Sequence, residues 1–239
     1  MPSLIPGKTL LRAIHYTTIF HNTPVIVYLR NLCYNGIMAD IYGGYAPILH
    51  NIAVELQNKI NGYADACMKE RGEKLFEHLS WRLKTPESME DKCRRDGLEP
   101  CPRSALKKVH DSIGIRIVCL FIDDIYRNIE EIKKLPGCHV VLEKDFISAA
   151  KPNGYRSYHM ILEAESPAKD IDGNTPGLYF AELQLRTIAM DTWAALEHEL
   201  KYKKDIKHPE LISEELKRCA GELAACDVSL QTIRELIRQ

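Results

Sequence analysis

Residues 181–203 read AELQLRTIAMDTWAALEHELKYK, and the change of period inside this stretch decides the fold. Up to residue 186 the side chains alternate. Leu183 and Leu185 face one side, and Glu182, Gln184 and Arg186 face the other, as in a half-buried strand. From about 187 to 203 the pattern is helical, and Asp191, Glu197 and His198 ride on that helix. A strand that runs straight into a helix, with one apolar and one polar face, belongs to a layered domain of sheet and helices.

Working outward, the polar loop SPAKDIDGNTPG joins a strand at about 157–163 to one at 178–186 as a long hairpin. A further strand is expected at about 138–144. Residues 113–121, IGIRIVCLF, are almost wholly apolar and predict a central strand. Asp123-Asp124 starts a helix that runs to Lys134 and stops at Leu135-Pro136-Gly137. Residues 75–84, LFEHLSWRLK, alternate again and aim Arg82 and Lys84 at one face. Thr85 then caps a helix with Pro86 at its first position. Apolar positions across 45–61 mark one more helix. The expected fold class is α/β (α+β), a mixed five-stranded sheet flanked by helices and closed by a long C-terminal helix.

That last helix, at about 209–238, carries Ile212, Leu216, Cys219, Leu223, Cys226, Leu230, Ile233 and Ile237 in steps of four and three. This is a heptad seam. At 1.5 Å per residue such a helix spans roughly 43 Å, long for the edge of one domain of this size, and it predicts self-association.

The 239 residues suit one domain of ordinary size with an appendage. Lys and Arg total 32 against 33 Asp and Glu, a net charge of −1, which excludes a globally basic nucleic-acid coat. Between residues 82 and 116, however, nine Lys and Arg stand against six acidic residues. The eight cysteines contain no CxxC pair and fit no common zinc spacing, so they read as small apolar residues of a reduced protein. The uncharged run Ala13–Leu29 holds His15, His21, Asn22 and Pro24, too polar for a membrane span or a signal peptide. No acidic residue precedes Asp40. Residues 1–37 therefore read as an extension outside the core, either a poorly ordered arm or the result of a mis-assigned start with Met38 the true initiator. Residues 38–205 read as the catalytic domain and 206–239 as the oligomerisation helix.

Four segments place polar groups where a core would not want them. Arg82 and Lys84, with Ser88, Lys92 and Arg95 behind them on the Pro-started helix, form a cradle for a polyphosphate. Asp111 stands at the mouth of an apolar strand, a position suited to Mg²⁺, and Arg116 lies within that strand and needs a partner or ligand. The stretch KPNGYRSYH, residues 151–159, turns at Pro152-Asn153-Gly154 and presents Tyr155 for stacking on a base, with Lys144, Lys151, Arg156 and His159 as further cations or hydrogen-bond donors. On the last strand Glu182 can bind Mg²⁺ or accept a hydroxyl proton. His110-Asp111 spells the dipeptide of metal-dependent phosphohydrolases, but it precedes a strand and lacks further ligands.

The segments NGYRSYH, ELQLRT-x-AMD-x-WA-x-LEH and YK, preceded by D-x-x-G-x-R, resemble the RelA/SpoT-type alarmone synthetase domain, and most of all its small, single-domain members. The resemblance covers about residues 45–205. It implies a nucleotidyltransferase-like synthetase fold. It also implies transfer of pyrophosphate from ATP to the ribose 3′-hydroxyl of GDP or GTP, giving ppGpp or pppGpp and AMP, with Mg²⁺ as cofactor. By the same resemblance Arg82, Lys84, Ser88, Lys92, Arg95 and Arg116 match the ATP-side residues, with Arg82 and Arg116 on the two sides of adenine. Asp111 matches the metal ligand. Glu182 matches the catalytic carboxylate, which also touches the metal. Lys144, Lys151, Tyr155, His159, Gln184 and Asp191 match acceptor contacts, with Tyr155 stacking on guanine.

Lys144 stands where some members have Arg, Asp191 where others have Asn, and Thr85-Pro86 replaces a proline directly after Lys84. A bacterial, cytoplasmic homotetramer, open to control by RNA or alarmone, is the implied setting. Two other readings remain at this point. One is a toxic relative that modifies adenosine nucleotides or tRNA 3′ ends, for which Lys201, Lys203, Lys204 and Lys207 offer a small basic cluster. The other is an inactive nucleotide- or RNA-binding oligomer, against which the retention of both carboxylates and the cradle cations speaks.

Overall fold

The computed structural model describes residues 40–202 and 207–238. The expected extension, residues 1–37, lies outside them, as do Lys203 and Lys204 and the side chain of Lys201. In chain order the elements are α1 (Ala46–Arg71), β1 (His78–Leu83), α2 (Pro86–Arg95), a π-helical turn (Ser104–Lys108), β2 (Ile113–Cys119), α3 (Ile122–Ile132), β3 (Cys138–Asp145), β4 (Tyr158–Ser166), β5 (Gly177–Thr187), α4 (Ile188–Tyr202) and α5 (Pro209–Arg238).

The five strands form one mixed sheet in the order β1-β2-β5-β4-β3. β2 and β5 run parallel, and every other neighbouring pair is antiparallel. The strand expected to be central, β2, is interior, but β5 holds the middle. One face of the sheet is apolar. Ile113, Ile115 and Ile117 of β2, Met160 and Leu162 of β4, and Ala181, Leu183 and Leu185 of β5 are at most 1% exposed. Leu49, Ile52, Leu56 and Ile60 of α1 and Ile125, Ile129 and Ile132 of α3 are buried with them. Each large aliphatic side chain fully buried in this way stabilises the fold by about 1.5–3 kcal/mol relative to exposure.

Local chemistry explains the element ends. Thr85 has extended backbone, and its Oγ1 accepts from the Ser88 N–H at 3.3 Å, closing the first turn of α2 as its sequence predicted. α1 runs ten residues past the predicted end and stops at Gly72, whose left-handed φ of 66° suits glycine.

α5 lies on its own domain. Trp193 Nε1 donates to the Leu216 carbonyl at 2.7 Å, Thr187 Oγ1 donates to Asp227 Oδ2 at 2.7 Å, and Arg234 pairs with Asp124 at 2.7 Å. Burial pushes the Asp227 carboxyl above its usual range, which the Thr187 bond only partly offsets. The predicted heptad seam therefore divides. Ile212, Leu216, Cys219 and Leu223 are half-buried, and the last three pack against the Trp193–Ala220 cluster. Cys226, Leu230, Ile233 and Ile237 are exposed. A strict seven-residue repeat drifts about 20° per heptad around a straight helix, which carries the later positions off the docked face. Asp227, Gln231 and Arg234 take their place there.

Candidate active site

The strand register gathers the predicted residues on the second, open face of the sheet. Ser80, Arg116, Gln184, His159 and Lys144 pair in turn across all five strands and form one transverse row. The neighbouring row runs Arg82, Gly114, Glu182, Ile161 and Leu142. Because side chains on one face recur every second residue, both rows point the same way.

At the β1–α2 end, Lys84 and Lys92 each place an ammonium 2.5 Å from Asp111 Oδ2. Lys84 arrives from the end of β1, where its N–H pairs with the Ser112 carbonyl, and Lys92 arrives from α2. Asp111 thus holds two cradle cations close together, and charge-assisted bonds of this length are strong. The Asp111 Oδ1 atom is buried and has no hydrogen-bond partner. Arg82 and Arg95 are exposed, and the Ser88 hydroxyl accepts from Thr85 Oγ1 at 3.0 Å.

Arg116 differs from its sequence reading. It is not buried. Its side chain is 40% exposed on the open face, and it pairs with Asp191 Oδ1 at 3.3 Å. A strand read in isolation does not reveal which of its faces a neighbour covers.

On β4 and β5, His159 Nδ1 lies 3.1 Å from Glu182 Oε1, and Gln184 Nε2 donates to Glu182 Oε2 at 2.9 Å. Burial pushes the Glu182 carboxyl up, but the bonds from His159 and Gln184 and the nearby charge of Lys92 outweigh it and hold the group well below its ordinary value. Lys92, paired with Asp111, thus also lends its charge to Glu182. The Tyr155 hydroxyl lies 2.7 Å from His159 Nε2. Its ring is T-shaped against Phe146, His159 and Trp193. The Lys151 ammonium sits between two rings, 4.5 Å from the Phe146 centroid and 4.8 Å from that of Tyr155. Lys144 is exposed on the edge strand β3, beside His159 in register. Gly154 makes the turn before Tyr155 with φ of 92°. Asp191, on the first turn of α4, accepts from Arg186 as well as pairing with Arg116.

Two residues of the site carried no role in the sequence reading. Ser157 and Arg186 lie beneath Tyr155, with Arg186 Nε 3.3 Å from Ser157 Oγ and its Nη2 2.7 Å from the Tyr155 hydroxyl. The available signal was the guanidinium of Arg186 in line with Glu182 and Gln184 on one strand face. No cluster of three or more His, Cys, Asp and Glu able to cage a metal occurs among the described residues. Mg²⁺ needs no such cage, because it takes one or two carboxylates and fills its shell with phosphate oxygens and water. The unsatisfied Asp111 Oδ1, with Lys84 and Lys92 gathered at the other oxygen of the same carboxylate, fits that demand.

Fold and site together define the class, an α/β domain with a row of cations and carboxylates across the open face of a mixed sheet. Comparison with known proteins narrows it. The family described as the region found in RelA / SpoT proteins matches residues 81–207, just over half of the chain. GTP pyrophosphokinase YwaC of Bacillus subtilis is 40% identical over 149 residues, covering 62% of this chain and 69% of that protein. GTP pyrophosphokinase YjbM of the same organism is 31% identical over 185 residues, covering 77% and 84%. Among solved structures, small alarmone synthetase 1 from Bacillus subtilis, bound to its product pppGpp, superposes with a TM-score of 0.71 at 28% identity over 82% of this chain and 96% of that one. The chain belongs to the RelA/SpoT family and has the alarmone synthetase fold.

Proposed function

We propose that this chain is a GTP/GDP pyrophosphokinase that moves pyrophosphate from ATP to the ribose 3′-hydroxyl of GDP or GTP and releases AMP. The observation that carries the reading is the row Arg82, Gly114, Glu182 across β1, β2 and β5. It supports a polyphosphate cradle on the strand that ends in Arg82 and Lys84, two strands from a carboxylate held by His159 and Gln184.

Each part of the site has a task in that reaction. Arg82, Lys84, Lys92 and Arg95, with Ser88 at the start of α2, take the triphosphate, and Arg82 and Arg116 flank the adenine. Lys144, Lys151, Tyr155, His159, Gln184 and Asp191 hold the acceptor nucleotide. Asp111, with Glu182 beside it, would hold Mg²⁺, which when bound neutralises charge on the phosphate oxygens. Glu182 accepts the hydrogen bond of the 3′-hydroxyl and directs its oxygen at the β-phosphorus. A carboxylate of such low basicity takes the proton late, as the new P–O bond forms and the bond to the AMP oxygen breaks. Aligning hydroxyl and phosphorus can supply about 7–11 kcal/mol as effective molarity.

The setting follows the same reading. The exposed stripe Cys226, Leu230, Ile233 and Ile237 supports assembly of several copies through α5. No helix among the described residues is long and apolar enough to cross a membrane, and we place the enzyme in the cytoplasm.

The test is labelled ATP and Mg²⁺ with GDP, GTP, ATP and tRNA as acceptors. AMP and a 3′-pyrophosphorylated guanosine nucleotide are expected. Labelled tRNA or a labelled adenosine product alone would overturn the choice of acceptor, and release of free pyrophosphate alone would overturn the transfer.

A further inference from the structure

Arg186 is 5% exposed and lies at the end of the strand that carries Glu182 and Gln184. Its Nη2 donates to the Tyr155 hydroxyl at 2.7 Å and to Gln184 Oε1 at 2.9 Å. Its Nη1 donates to Asp191 Oδ1 at 3.0 Å, and its Nε to Ser157 Oγ at 3.3 Å. A guanidinium only donates, and its directions are fixed by its plane.

That one-sidedness propagates. The Tyr155 oxygen accepts from Arg186, so its own proton goes to its other neighbour, His159 Nε2, at 2.7 Å. His159 Nε2 is then the bare nitrogen, and the ring proton sits on Nδ1, 3.1 Å from Glu182 Oε1. The opposite polarity would put two donors, His159 Nε2–H and Arg186, on one phenolic oxygen and, in a neutral ring, turn a bare Nδ1 toward Glu182 Oε1. The second arm behaves alike. Gln184 must offer its oxygen to Arg186, so its amide nitrogen is the atom that donates to Glu182 Oε2 at 2.9 Å. Both arms leave one guanidinium nitrogen and end on the two oxygens of one carboxylate.

We propose that Arg186 is the positioning residue of the reaction: it fixes the Nδ1–H tautomer of His159 and the amide orientation of Gln184, and through them holds both oxygens of Glu182. Asp191 extends this hold, because its Oδ1 is shared between Arg186 and Arg116 of the ATP side. The proposal rests on the pyrophosphokinase reading for its kinetic consequence, but its hydrogen-bond polarity does not depend on turnover.

The experiment pairs kinetics with the nitrogen signature of His159. In wild-type protein labelled with ¹⁵N-histidine, His159, assigned with a His159→Gln variant, should show a protonated Nδ1 and a bare Nε2. In Arg186→Met, which keeps length and loses every N–H, that tautomer should be lost. The same variant should lower kcat about 10²–10³-fold, as loss of one oriented polar group does, with the KM for ATP within about threefold of wild type. Arg186→Lys keeps the charge without the fork and should fall between. If Arg186→Met does not fold, Tyr155→Phe cuts the first arm and should by itself release the tautomer. A wild-type His159 with its proton on Nε2, or a folded Arg186→Met with unchanged tautomer and kcat, overturns the proposal. A wild-type protein with the expected tautomer and no turnover overturns the pyrophosphokinase reading instead.

Discussion

Gly154, in the turn before Tyr155, and Ala220 of α5 meet without room for a side chain between them. A Cβ built on Gly154 would fall 2.5 Å from the Cβ of Ala220. The same glycine has φ of 92°, where other residues are strained. Gly154→Ala should lower stability by about 1–3 kcal/mol and should raise the acceptor KM more than the ATP KM, because Tyr155 follows the turn directly. Thermal unfolding and two-substrate kinetics check both halves. An unchanged acceptor KM would separate the turn from the site.

Gly114 stands between Arg82 and Glu182 in their row, and the nearest atom to a Cβ there is a backbone oxygen 3.9 Å away. The fold tolerates a side chain at this place, but the open face above it would be filled. Gly114→Val should leave the melting temperature near wild type and raise the ATP KM about tenfold, a loss of about 1.4 kcal/mol in binding. Binding of a non-hydrolysable ATP analogue, followed by calorimetry, measures it.

Asp111→Asn removes the charge that gathers Lys84 and Lys92, and Glu182→Gln removes the acceptor for the 3′-hydroxyl. Each should reduce kcat by about 10³-fold or more while the circular dichroism spectrum stays unchanged. Near wild-type turnover in either variant sinks its assigned role.

Asp170 has a fully buried side chain that accepts from Lys107 Nζ at 2.7 Å, from the Asn174 N–H at 2.9 Å and from the Asn174 side-chain amide at 3.2 Å. Burial pushes its carboxyl up, and these bonds more than reverse that, so it titrates well below the usual range. A depressed folded-state pKa means stability that is complete above the unfolded value of about 3.9 and is lost as the pH falls below it. Asp170→Asn should cost about 3 kcal/mol at pH 7. The difference from wild type should shrink steadily below pH 4. A gap that holds constant to pH 2 would show that the charge is not its source.

Ile233 is 52% exposed on the outer stripe of α5. Ile233→Asp should yield a smaller species by light scattering, with the monomer's far-ultraviolet spectrum intact. The wild-type mass in the variant would place the subunit interface elsewhere.

Much of this was legible from residue order. Period-2 alternation located β1 and β5, and an apolar run located β2; all five strands were placed within a few residues, and Thr85-Pro86 located the start of α2. What escaped has definite physical causes. Residues 62–71 continue α1 with no apolar period because they are mostly solvated, so nothing in their hydrophobicity marks them as helix. The π-helical turn Ser104–Lys108 is too short for any period to register. Arg116 looked buried because its neighbours in sequence are, although its own face is open. Arg186 could be placed on the right face but given no task, since Tyr155 and Ser157 lie 31 and 29 residues before it. The end of the heptad seam could not be assigned to a surface until the position of α5 was known.

The parallel ladder of β2 and β5 has a consequence for how such a protein changes over time. It is the line along which the two halves of the site meet. Arg82 to Arg116 lie in one continuous piece of chain on one side, and Lys144 to Asp191 in another on the other side. Substitutions that reshape one half of the open face can therefore accumulate in the second piece while the first stays as it is. The seam between them lets one half drift and preserves the other, so a lineage can acquire a new ligand on one side without rebuilding the other.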